Sequence, residues 1–157
     1  MPVLQQRQRP QAPAGPDSAR GRPVMLATLD VPFDSDAVVF AVDSAVELGQ
    51  RLIVANFVEQ APLPLSASMG YDDLPYTPEM AASLAEPVRL ALSLGVNVSR
   101  LRVKSFRPIQ AIVEVVAEED AGILVFGPDR SRIRRLRYRR AAHAISSRVT
   151  ALIWLAG

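Results

Sequence analysis

The chain has no cysteine, a single histidine (His143) and only 6% aromatic residues among its 157 positions. Without cysteine there is no disulfide framework, no thiol nucleophile and no cysteine-based zinc site. One histidine supports neither a multi-histidine metal site nor a conventional Ser-His-Asp triad, and no catalytic residue stands out. No apolar run approaches the roughly 18 residues that cross a bilayer, and the first 22 residues lack the continuous apolar core of a secretory signal. The expectation is a cytoplasmic protein with no membrane partner and no enzymatic role. With 49% hydrophobic residues the chain is long enough to bury one substantial core.

A net charge of +2 conceals an uneven distribution. Residues 1–22 carry Arg7, Arg9, Arg20 and Arg22 against Asp17. They also hold Pro2, Pro10, Pro13 and Pro16 and show no apolar periodicity, so a disordered N-terminal tail is expected there. The domain proper is then 23–157. Within it, Arg130, Arg132, Arg134, Arg135, Arg137, Arg139 and Arg140 crowd into one short stretch.

Short apolar runs alternate with helical patterns along the rest of the chain. Strands are expected at Val24–Leu29, Arg51–Phe57, Leu101–Ser105, Gly122–Phe126 and Ala151–Leu155. Between them, Asp34 or Ser35 caps a helix that Gly49 stops, and Pro78 to Leu94 forms a second helix, kinked or divided at Pro87. Pro108 opens a third helix, and Ala141–Val149 is the fourth. A long loop over 60–77 contains Tyr71, Asp72 and Asp73. This alternation predicts an α/β fold: a three-layer α/β sandwich around a five-stranded parallel sheet.

Three features carry a family resemblance: the first strand ending in Asp30, Gly95-Val-Asn-Val before the third strand, and Asp120-Ala-Gly-Ile-Leu-Val-Phe-Gly127. Over about residues 23–156 the chain resembles the universal stress protein family. The resemblance implies a Rossmann-like (adenine nucleotide alpha hydrolase-like) topology, a stress-response or regulatory role, and a homodimer through the final strand, Ala151–Leu155. Members that bind ATP carry Gly, two residues, Gly, nine residues, then Gly-Ser or Gly-Thr. Glycines there let backbone N–H groups reach the phosphates beside a helix N-terminus. Here Gly127 matches the first glycine, Arg130 stands at the second, and Arg140 and Ala141 occupy the final pair. Asp30, flanked by Thr28 and Leu29, matches the acidic residue near the ribose and base.

Two readings of this loop follow. Arginine side chains fill the phosphate space and ordinary ATP binding is weak or lost, or Arg130 and Arg140 hold the phosphates of ATP or AMP through guanidinium contacts. The candidate nucleotide residues are therefore Thr28, Leu29, Asp30, Gly127, Arg130, Arg140 and Ala141. A further alternative makes the Arg130–Arg140 segment a binder of some other anion, whether nucleic acid or an acidic partner. Against it, only Tyr138 is aromatic within the run, and Ile133, Leu136, Ala141, Ala144 and Ile145 suit a helix with a solvated basic exterior. His143 is expected on the surface, and Trp154 serves either the dimer or the core.

Overall fold

The computed structural model describes residues 4–8, 21–60 and 76–157. Tyr71, Asp72 and Asp73, with most of the 60–77 loop, lie outside the described residues, as do residues 1–3 and 9–20 of the N-terminal segment. The strands are β1 (Leu4–Gln8), β2 (Val24–Thr28), β3 (Leu52–Glu59), β4 (Val98–Ser105), β5 (Ile123–Phe126) and β6 (Leu152–Leu155). The helices are α1 (Ser35–Leu48), α2 (Pro78–Ser93), α3 (Pro108–Glu118) and α4 (Arg135–Arg148). They form one sheet of order β1-β4-β3-β2-β5-β6.

The five strands from β2 to β6 pair in parallel, as the apolar runs predict. Alternation along β2 shows how both faces are used. Val24 and Leu26 join the buried cluster under α1 and α2, whereas Met25, Ala27 and Leu29 join the one under α3 and α4. Helices on both faces of a parallel sheet make a doubly wound sandwich. The crossovers change direction between β2 and β5, and ligands in such folds collect at the carboxyl ends of strands flanking this point.

Three expectations need correction. Leu4–Gln8, read as part of a disordered tail, runs antiparallel along β4, from Leu4 opposite Lys104 to Gln8 opposite Arg100. Edge pairing is made by backbone groups, so it leaves no apolar period to read. Of the two outcomes expected at Pro87, division is overturned: α2 runs unbroken from Pro78 to Ser93, with Pro87 on its buried face. The fourth helix begins at Arg135 instead of Ala141, because Tyr138, Ala141 and Ile145 recur at helical spacing on the buried face while arginines cover the outside.

The helix ends follow local chemistry. Asp34, not Ser35, is the N-cap of α1, and its carboxylate accepts the N–H groups of Asp36 and Ala37 at 2.9 and 3.1 Å. Gly49 ends α1 at φ 63°, in the left-handed region that glycine enters without a Cβ penalty. His143 is exposed on α4. Among the described residues no helix is long and apolar enough to cross a membrane.

Candidate functional site

At the switch point the loops after β2 and β5 are joined to one another. Gly127 N–H donates to the Ala27 carbonyl and Asp34 N–H to the Gly127 carbonyl, each at 2.9 Å. Asp129 N–H donates to the Pro32 carbonyl at 2.8 Å, and Phe33 and Pro128 form an antiparallel bridge. Hydrogen bonds from the Ser131 side chain and backbone hold the Asp129 carboxyl below its usual 3.8, though its burial opposes this. That contribution to the turn is present above the ordinary value and is lost as pH falls through the lowered one.

Thr28 is fully buried, and its hydroxyl donates to the Val31 carbonyl at 2.8 Å. Leu29 is buried in the core beneath α3 and α4. Asp30 is exposed, with φ 53°. Asn56 from β3 supports it: the amide oxygen accepts Asp30 N–H at 2.8 Å, and the amide nitrogen donates to the Asp30 carboxylate at 3.3 Å and the Tyr76 hydroxyl at 3.2 Å. The Arg102 guanidinium covers the Tyr76 ring at 4.2 Å. Burial pushes the Tyr76 hydroxyl above its usual 10.0, while the Asn56 hydrogen bond and the Arg102 charge pull it down. Asn56, Tyr76 and Arg102 escaped the sequence reading. One signal was present: Asn56 is the lone polar residue between Leu52 and Val58, and a buried amide needs partners.

The remaining candidates separate. Gly127 is buried, and a Cβ there would lie 2.3 Å from the Ala37 Cβ. Arg130 is held against α4 and the end of β6. Its guanidinium lies 3.6 Å above the Tyr138 ring and donates to the Ala156 carbonyl at 3.3 Å, the same carbonyl that accepts the Tyr138 hydroxyl. Arg140 and Ala141 sit in the middle of α4, whose backbone ladder already engages Tyr138 N–H with the Arg134 carbonyl at 3.0 Å. Only the first N–H groups of a helix lack intrahelical partners, so those of Arg140 and Ala141 are committed. Ala141 is fully buried against the sheet. Arg140 instead lines a cleft of about 830 Å³ between α3 and α4, which Arg130 does not touch.

A doubly wound parallel sheet with its switch point between β2 and β5 places the chain in the Rossmann-like class of α/β domains. The sequence profile of the universal stress protein family matches residues 21–151, and the chain belongs to that family. Its fold is similar to that of a universal stress protein from Archaeoglobus fulgidus, at TM-score 0.59 and 19% identity over 87% of this chain and 94% of that one. The dAMP complex of the universal stress protein from Archaeoglobus fulgidus superposes at TM-score 0.58, again with 19% identity, over 87% of this chain and 98% of that one. An Arabidopsis thaliana family protein with AMP bound gives TM-score 0.54 and 13% identity, over 87% and 91% of the two chains. No curated protein matches the chain.

Proposed function

We propose that this protein is a non-enzymatic regulatory module of the stress-response type, dimeric through β6, in which ordinary ATP binding is weak or lost. The observation that carries this reading is the position of α4. Its first turn starts at Arg135, so the two residues standing where a phosphate-binding Gly-Ser or Gly-Thr would be lie mid-helix, with no free N–H to offer. Arg130, the other candidate for phosphate, is engaged with Tyr138 and Ala156.

The structures with dAMP and AMP name the ligands to try. Titration calorimetry with AMP, dAMP and ATP is expected to show no adenosine-dependent binding below millimolar concentration. A micromolar dissociation constant for AMP would overturn the reading. The dimer rests on β6, an outer strand of the sheet whose Leu152 is 73% exposed. Trp154 beside it is only half-buried and stacks on Phe40 at 5.3 Å. Sedimentation at micromolar concentration is expected to give a dimer that Leu152→Lys converts to monomer, and a wild-type monomer would remove dimerisation from the proposal.

A further inference from the structure

The cleft between α3 and α4 concentrates positive charge that the fold does not neutralise. Arg107 stands at one wall, and Arg134, Arg137, Arg140 and Arg148 at the other, with Glu59 the lone carboxylate in its lining among the described residues. Glu59 approaches Arg137 only to 3.9 Å, too far for a hydrogen bond, and the Arg137 Nη2 atom is buried without a hydrogen-bond partner. Among the described residues no carboxylate pairs with Arg107, Arg134, Arg140 or Arg148.

The same cleft receives two helix starts. Arg107 and Arg134 are the N-cap residues of α3 and α4, and neither caps its helix with its side chain. The N–H groups of Ile109 and Gln110 on one wall, and of Leu136 and Arg137 on the other, therefore have no intrahelical acceptor. Arg134, Arg137, Arg140, Ala144 and Arg148 recur at steps of three and four residues, so they form one stripe along α4. At 1.5 Å per residue this stripe is about 21 Å long. Unlike a surface patch, the cationic wall is a groove.

We propose that this groove binds a linear polyphosphate anion, either inorganic or as the polyphosphate tail of a larger molecule. Arg134, Arg137 and Arg140, about 4.5 Å apart along the helix axis, can each grip a neighbouring phosphate bidentately, and Arg148 stands about 12 Å further along. A single phosphate would leave most of these charges unanswered. Among the described residues no aromatic side chain lines the cleft to stack a nucleic-acid base, which favours phosphate chains over single-stranded DNA or RNA. The cleft lies on the α3–α4 face, opposite the sheet face that carries Asn56. Its lining shares no residue with the cluster of Asp30, Asn56, Tyr76 and Arg102.

The test uses tripolyphosphate, pyrophosphate and orthophosphate in calorimetric titrations of the full chain at low salt. One tripolyphosphate is expected per chain, bound about 100-fold more tightly than orthophosphate at roughly tenfold per added charge-assisted contact. Arg137→Ala combined with Arg140→Ala should weaken it about 100-fold, and Arg107→Ala on the opposite wall about tenfold. Arg22→Ala, whose parent side chain pairs with Asp120, should change nothing. If the double variant fails to fold, Arg107→Ala and Arg148→Ala carry the test. Absence of binding, unchanged affinity in folded cleft variants, or tighter binding of single-stranded DNA than of tripolyphosphate would each overturn the proposal. Because inorganic anions are the probes, failure here leaves the ATP reading untouched.

Discussion

Replacing Tyr138 by alanine is expected to lower unfolding free energy by about 3–5 kcal/mol in a urea titration, the usual cost of truncating a buried aromatic residue. Tyr138 is 6% exposed and joins three parts of the molecule. Its ring stacks on Phe126 of β5 with centroids 5.7 Å apart, its outer surface carries Arg130, and its hydroxyl donates to the carbonyl of Ala156 beyond β6. Truncation leaves a cavity under α4 and frees Arg130 at once. Tyr138→Phe separates these effects, because it keeps the ring and loses only the hydrogen bond, at about 1 kcal/mol. A phenylalanine variant as unstable as the alanine one would place the energy in the hydroxyl contact instead of the packing.

Gly127→Ala should be costly for a different reason, at the upper end of the roughly 1–3 kcal/mol typical of overpacked cores. The added methyl would lie 2.3 Å from the Cβ of Ala37 and 3.4 Å from Leu26 Cδ1. Ala37 is fully buried in the first turn of a capped helix, so neither side can withdraw without moving backbone. The check is a double-mutant cycle in urea with Ala37→Gly, which removes the opposing methyl. Glycine in a helix interior costs about 1 kcal/mol on its own, yet the pair should be more stable than the sum of the single changes predicts. Strict additivity would mean that Gly127 is required for something other than this contact.

That contact also bears on what the sequence could reveal. Buried parallel strands such as Ile123–Phe126 announce themselves as unbroken apolar runs, and caps such as Asp34 act within a few residues, so the layers and most boundaries were readable. β1 was not, because Gln5, Gln6, Arg7 and Gln8 pair through backbone groups common to every residue. The start of α4 was hidden for a related reason. Arg134 to Arg137 include no capping side chain, and the apolar stripe becomes dense only after Tyr138. An error of six residues at that boundary matters for the site, since it decides whether Arg140 and Ala141 lie at a helix start or within its ladder. Asp30 and Gly127 follow adjacent strands and are close to motifs that the sequence displays, whereas the partners Asn56, Tyr76 and Arg102 converge from distant segments that only the folded sheet brings together.

The crowded start of α4 also shapes how the protein responds to its solvent. Seven arginines between positions 130 and 140 are held on one turn and one helix, where an unfolded chain would let them spread apart. Their mutual repulsion is a standing cost of the native state, and it acts over distances that dissolved ions screen, with a Debye length of about 8 Å near physiological ionic strength. Dilute buffer therefore exposes the full repulsion, and added electrolyte relieves it. Ionic strength becomes a direct control on how firmly the first turns of α4 hold to the sheet, even before any specific anion arrives.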